Sequence, residues 1–596
     1  MNEKKTVVHS QIKPCGGVPA LYVNGKVFTS VAYMTYLERY NCYDDFSKAG
    51  YDFFSVPVLF SGRWVSATDG FTPFKKGIFD DKNKPDFSLF DEAVEKILAV
   101  NGKAFVIPRV NMCMPVWWEK ENPQEVNIKQ DGTVCRESLY SEKYRADAER
   151  MLREFVRYVS SSKYASHIIG YQLAGGNTEE WFHFDLNAGY CKNAENGFKS
   201  FLKEKYPELK YKGLPDLSLL NKRQNYFKDK YLTAYLEYAS AAVAEGILKF
   251  ASAVKEETHN NLVVGTFYGY SLEVTNPLWG THALEALLNS PNIDFICSPN
   301  SYMGIRAFDC DCAEMYPADS VRLHGKMCFQ ECDIRTHLTV HLHEKDSLYD
   351  PKNILSAPVW DGLKTKKEAE NAVKKSFVRQ LIKGNGLWWF DMWGGWFSDG
   401  DIMSQMSEFR RIYSESLTKN SRKSKTDIAV FTDETSYRYL SSHDLRNAVY
   451  SIKKNLGLMG TPYDVYDVFD FPAVYKNYKA VIFTSSAKTD NMKRAVNLCR
   501  YFNVPHIKPT AVKPDFTVAE LREFCKTNGV YIYCETDDIV YINECFAAIC
   551  AVTDGEKTIK LKNECEIKEL LTDSVAVCSS EIKKTMKKGD VALFEF

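Results

Sequence analysis

No run of apolar residues in this chain reaches the ~18 that a membrane-crossing helix needs. The opening stretch, Met1 to His9, turns polar before it could form the apolar core of an export signal. A cytoplasmic protein with no membrane partner is the expectation. Charge of one sign is also missing: 76 Lys and Arg stand against 77 Asp and Glu, so no overall field draws the chain to nucleic acid or to an anionic lipid surface. There is no internal repeat and no low-complexity tract. Cysteine is present without a framework. The 17 thiols are odd in number and scattered, which reads as reduced, mostly buried side chains. Cys310-x-Cys312, with Cys328 and Cys332 downstream, lacks the pair spacing of a zinc knuckle, so neither a metal nor another cofactor is expected. What remains, at 45% hydrophobic and 26% charged over 596 residues, is an ordinary globular composition spread over several domains.

Within that composition, apolar runs of strand length recur in the first four hundred residues. They fall at 28–33, 53–58, 104–110, 168–173, 262–267, 295–298, 326–330 and 386–390, with helix-like segments at 87–100, 143–160, 227–257 and 366–383 between them. Strands that alternate with helices predict a parallel sheet, and eight units predict a (β/α)8 TIM barrel over 1–418. A doubly wound sheet is the rival, but it gives no reason for polar residues after nearly every strand. A polar, basic linker at 419–425 then opens a smaller α/β domain of flavodoxin-like size, 419–515. Short runs at sandwich-like spacing predict an antiparallel β-sandwich-like domain over 516–596. The loop Phe431-Thr432-Asp433-Glu434-Thr435-Ser436 contains no glycine, which argues against a bound nucleotide or flavin in the middle domain.

In a TIM barrel the chemistry sits at the C-terminal ends of the strands. Those positions hold Arg109 and Asn111 after strand three, and Asn177, Glu179 and Glu180 after strand four. Tyr302 follows strand six, Glu331 ends strand seven, and Asp391 with Trp393 and Trp396 follows strand eight. Carboxylates on opposite walls of one barrel mouth can work a glycosidic bond, one protonating the leaving oxygen and the other attacking the anomeric carbon. The pair needs two environments. Trp181 and Phe182 beside Glu180 would keep one carboxyl protonated, and Arg109 with the Tyr302 hydroxyl would keep Glu331 ionised. With aromatic residues at 14%, Trp64, Trp117, Trp118, Trp388, Trp389, Trp393 and Trp396 are candidate stacking walls for sugar faces. Asn111, Asn177 and Asp391 are candidate hydroxyl binders. Blander readings stand beside these: Glu331 as an ion-pair partner of Arg335, Arg306 or Arg322, Arg109 as a barrel-interior salt bridge, the tryptophans as core, and His324, His337, His341 and His343 as loop structure.

The glutamates of strands four and seven, with a tryptophan-rich strand eight, resemble the clan of (β/α)8 retaining glycoside hydrolases. The domain order resembles its family 42 β-galactosidases, and a trimeric family of bacterial β-mannosidases is similar. The resemblance implies an exo-acting β-glycosidase that forms a homotrimer and takes an oligosaccharide or glycoside, galactoside first and mannoside second. It implies Glu331 as nucleophile and a strand-four glutamate as acid/base. In the clan an Asn stands directly before that glutamate, whereas here Thr178 separates Asn177 from Glu179. Glu179 and Glu180 therefore both stay open. Glu180 is preferred because Glu-Trp closes this loop in divergent relatives.

Overall fold

The computed structural model describes residues 8–63, 76–128, 134–184, 191–217, 220, 229–302, 307–440, 442–510, 512–572 and 574–596. Eight parallel strands close into a barrel: Val31–Thr35, Phe53–Leu59, Phe105–Asn111, Gly170–Ala174, Val263–Phe267, Phe295–Pro299, Met327–Cys332 and Gly386–Asp391. Each lies within a few residues of a run read from the sequence. The reason is burial on both faces, which makes a parallel strand a continuous apolar run; in the second, fifth, sixth and eighth strands every residue is buried. The outer helices include Ser88–Val100, Glu142–Ser161, Lys230–Glu257 and Lys366–Lys383. Their starts follow from local chemistry. Ser141 and Asp229 accept from backbone N–H groups of the first turn, and Thr365 with Glu368 forms a capping box.

Two small hairpin features lie outside the sequence reading. An antiparallel sheet of Ser10–Cys15, Val18–Val23 and Lys26–Val27 lies at the N-terminal end of the barrel, where Ser10 N donates to Asn261 O at 2.8 Å. A second pair, Val126–Ile128 with Val134–Glu137, follows the third strand.

Beyond the barrel, four parallel strands run in the spatial order Asp464–Asp467, Ile428–Thr432, Ala480–Phe483, His506–Ile507, the 2-1-3-4 order of a flavodoxin-like sheet. The helix Val518–Thr527 packs Leu521 and Cys525 into this unit's core, so the expected β-domain boundary at 516 falls too early, and Gly529 to Tyr533 is irregular. The C-terminal unit is one five-stranded antiparallel sheet, Ile539–Ile542, Phe546–Cys550, Val591–Glu595, Gly555–Glu569 and Val577–Met586 in spatial order, rather than two packed sheets.

The three units meet at buried charges. Asp311, in the barrel, accepts from Arg379 Nη1 at 2.8 and 2.9 Å, from Tyr463 of the α/β unit at 2.9 Å and from Tyr541 of the β unit at 2.7 Å. Glu434, just past the first α/β strand, accepts from the backbone N–H groups of Leu284 and Glu285 in the barrel at 2.7 and 3.4 Å. Among the described residues no helix is long and apolar enough to cross a membrane.

Candidate active site

Arg109 and Asn111 are alternate residues of the third strand, so their side chains share its inner face; each is about 1% exposed. The guanidinium spans the barrel. Nη2 donates to Glu331 at the end of the seventh strand, and Nη1 reaches Tyr36 Oη at 3.1 Å and Glu179 Oε2 at 3.5 Å. The rings of Phe267, Trp388 and Phe390 surround it, with centroids 4.7–5.4 Å from the guanidinium carbon. Asn111 Nδ2 donates to Glu179 Oε1 at 3.1 Å, and the Tyr36 hydroxyl donates to Glu179 Oε2.

The two strand-four glutamates point to different environments because the chain turns sharply between them. After Ala174 the backbone adopts positive φ at Gly176, Thr178, Glu179 and Trp181, with φ between 59° and 68°. For the three non-glycine residues this is a conformation held only by strong surroundings. Those surroundings are visible. Trp181 N donates to Gly175 O at 2.8 Å, its indole N–H donates to Thr266 Oγ1 at 2.9 Å, and its ring stacks on Phe250. Asn177 is buried, and its backbone N–H donates to Phe182 O at 2.8 Å. As a result Glu179 is 1% exposed and engaged with three donors. Glu180 is only half-buried and accepts from Thr178 Oγ1 at 2.8 Å.

Burial pushes the Glu180 carboxyl up to about 7, against the opposing effect of the Thr178 and Tyr270 hydroxyls and Arg109. Trp181, expected to supply an apolar wall for this carboxyl, instead anchors the turn in the core. Burial also pushes Glu331 up, to about 8; Arg109 works against the rise, while Asp333 and Glu180 add to it. The two carboxyls therefore feel one another, and such a pair takes up its protons jointly.

The other expected site residues divide. Trp388 lies beside Glu331 in register and faces inward against Phe267, Phe329 and Arg109. Tyr302 stands at the mouth, 41% exposed, in the electrostatic reach of Glu180, Asp333 and Glu331. Trp389 points the other way, packing on Phe397 and Phe409 and donating to Tyr51 Oη at 2.9 Å; adjacent strand residues face opposite sides, so its place is between barrel and outer helix. Asp391 has its acceptor capacity filled by Tyr33 Oη, Gly395 N and Trp396 N at 2.8–3.0 Å. It shapes the turn in which Gly394 and Gly395 both take positive φ and has no oxygen left over for a sugar hydroxyl. Trp393 and Trp396 are buried and meet edge to face, with Trp360 on Trp393 and Arg335 between Trp360 and Trp396. Trp117 and Trp118 are tied by their indole N–H groups to Phe79 O and Asp147, and Trp64 lies outside the described residues. The four histidines have separate partners, Asp470, Asp399, Asp361 and the carbonyl of Asp350. Among the described residues no three His, Cys, Asp or Glu side chains gather in a way that could hold a metal ion.

Sequence reading missed Tyr36, Tyr270 and the Asp333–Arg335 pair. Tyr36 is the findable one: it follows the end of the first strand, the position a barrel reserves for chemistry, and that strand runs over Val31–Thr35, not over the expected 28–33.

A family model described as beta-galactosidase matches residues 80–215. The chain resembles the family 42 glycoside hydrolases. Solved structures agree in fold. The β-galactosidase of Halorubrum lacusprofundi superposes with a TM-score of 0.62 at 13% identity, covering 95% of this chain and 99% of that one. The β-galactosidase of Marinomonas ef1 gives 0.60 at 11%, covering 95% and 100%. A family 42 exo-carrageenase from Bacteroides ovatus gives 0.60 at 13%, covering 99% and 86%. No curated protein matches the chain. The family 42 likeness indicates a glycoside hydrolase, and the closed barrel fits that family's clan.

Proposed function

We propose that this protein is an exo-acting, retaining β-glycosidase whose acid/base is Glu180 and whose nucleophile is Glu331. The observation that carries the reading is the contrast between the neighbouring glutamates. Glu179 is saturated with donors and closed off, whereas Glu180 is open to the mouth, raised toward neutrality and coupled to Glu331. Burial raises both carboxyls, Glu180 to about 7 and Glu331 to about 8, so the pair takes up its protons jointly. The Arg109 guanidinium bonded to Glu331 favours its ionised form and leaves the shared proton to Glu180 for the departing sugar. Glu331, kept in place by Arg109, attacks the anomeric carbon, and Glu180 then activates the water that releases the product. Arg109 holds the nucleophile. Tyr302, exposed at the mouth, is the sugar-facing aromatic; Trp388, Trp393 and Trp396 are buried and support the site from the core, with Asn111 and Asn177 at the strand-four turn. No metal or cofactor enters this scheme.

A β-galactoside is the first choice of substrate, on the likeness to the β-galactosidases, and a β-mannoside the second. A homotrimer acting on imported oligosaccharides in the cytoplasm completes the reading, with the barrel at 1–418 and the helix Val518–Thr527 moving the boundary between the α/β and β units from 515/516 to beyond Val530.

The test is hydrolysis of a panel of p-nitrophenyl β-glycosides by wild type and by Glu179→Ala, Glu180→Ala and Glu331→Ala. Glu331→Ala is expected to abolish release. Glu180→Ala is expected to be rescued by azide, with a β-glycosyl azide as product. Azide rescue of Glu179→Ala in place of Glu180→Ala would reverse the assignment of the acid.

A further inference from the structure

The turn that sets Glu180 contains one hydroxyl with two oxygens to serve. Thr178 Oγ1 stands 2.7 Å from the carbonyl oxygen of Asn177 and 2.8 Å from Glu180 Oε2. A threonine hydroxyl has a single proton to donate and two lone pairs with which to accept. The Asn177 carbonyl can only accept. The hydroxyl proton therefore points at one oxygen at a time, and the state of Glu180 decides which. While Glu180 carries its proton, it donates to Thr178 Oγ1 and Thr178 donates to Asn177. Once ionised, Glu180 can only accept, so Thr178 turns its proton to Oε2. That rotation does not orphan the Asn177 carbonyl, because the Glu180 backbone N–H donates to it at 3.3 Å. Both states are hydrogen-bonded with no heavy atom moved.

The backbone does not favour a threonine here. Thr178 is held at a φ of 59°, where a β-branched residue is an outlier and glycine or asparagine sits with less strain. What threonine adds at that position is its hydroxyl. The charged and titratable groups that face Glu180 come from four other elements: Arg109 of the third strand, Tyr270 after the fifth, Tyr302 after the sixth, and Glu331 and Asp333 at the end of the seventh. Arg109 can only donate, and the two carboxylates oppose the ionised form. Thr178 can serve either form from where it stands.

We propose that Thr178 is a positioning residue that reverses its hydrogen bond with Glu180 between the two halves of the reaction, an inference that rests on Glu180 being the acid/base. In the first half Thr178 accepts from protonated Glu180. The proton passes to the leaving oxygen as that oxygen's bond to the anomeric carbon breaks and Glu331 forms the ester. Thr178 then turns to donate to the carboxylate left behind. In the second half a water oxygen bonds to the anomeric carbon, the ester bond to Glu331 breaks, and the water's proton goes to Glu180. Thr178 turns back, having lost no proton in either half.

The experiment is a set of pH profiles on the full-length wild type, Thr178→Val and Thr178→Ser. The substrates are the p-nitrophenyl glycoside that the panel identifies and the dinitrophenyl glycoside of the same sugar. Removing a donor to ionised Glu180 makes it hold its proton more tightly. The basic limb of kcat/KM should therefore move up by about one pH unit in Thr178→Val. The dinitrophenyl leaving group needs no acid, so its kcat reports the second half of the reaction. On the acidic side of the optimum that kcat should fall about tenfold, with KM falling in proportion because the ester accumulates. Thr178→Ser should return both to wild type. A Thr178→Val profile that overlies wild type overturns the proposal. So does a loss at every pH with the limbs unmoved, or a Thr178→Ser that behaves as Thr178→Val. If Thr178→Val does not fold, the smaller Thr178→Ala takes its place. If no glycoside on the panel is released, the carboxyl infrared band that Glu180→Gln removes should still titrate about one unit higher in Thr178→Val, and an unmoved band overturns the proposal. Azide rescue of Glu180→Ala tests the acid/base assignment by itself. Without rescue that assignment fails; with it, an unmoved Thr178→Val profile counts against Thr178 alone.

Discussion

Arg109 gives one guanidinium to two carboxylates and a phenol, and its Nε stays buried without a partner among the described residues. Its charge is what opposes the burial-driven rise of Glu331. Arg109→Met should therefore move the acidic limb of the kcat/KM–pH profile to higher pH, because the nucleophile then ionises later. The rate at the optimum should fall by on the order of 10²–10³. A pH–rate profile of the variant checks both. The eighth strand offers a paired contrast. Trp388→Ala should raise KM or lower kcat, whereas Trp389→Ala should leave KM alone and cost about 3–5 kcal/mol of stability, read by chemical denaturation. Both tryptophans are fully buried and adjacent, so composition could not separate them; the alternation of the strand does.

The turn from Gly175 to Phe182 is the element on which the proposed chemistry depends. At Gly176, where φ is +64°, an added Cβ would stand 2.6 Å from the Phe182 carbonyl oxygen and 2.9 Å from the Trp181 backbone. Gly176→Ala should lose roughly 1–3 kcal/mol, and its kcat should fall more than its KM rises, because Glu180 loses its aim before the sugar loses its pocket. Thermal melts and steady-state kinetics test the two halves. The eight barrel strands were legible because burial on both faces writes them as apolar runs, and the helix Lys366–Lys383 was legible to the residue. This turn was not. Its geometry rests on positive φ at Thr178, Glu179 and Trp181, which no residue type there announces. The strand Ser10–Cys15 was equally silent, carrying a lysine and a proline in a half-exposed pattern.

Across the whole molecule, the junctions between units are carboxylates withdrawn from water. Burial raises Glu434 to about 7 and raises Asp433 and Asp467 beside it. The folded state thus keeps protons that the unfolded chain releases near pH 4–5, so stability should fall as pH climbs from there through about 7. Melting temperature should be higher at pH 5 than at pH 8, and Glu434→Gln should flatten that slope by about 3 kcal/mol. Asp311 makes a different kind of joint. Its two oxygens hold the barrel helix through Arg379, the α/β unit through Tyr463 and the β unit through Tyr541. A protease that nicks the basic linker at 419–425 would cut the chain without releasing the pieces. They should travel as one particle through a sizing column and come apart only under denaturant, so a clean cut on a gel would not mean separate domains in the tube.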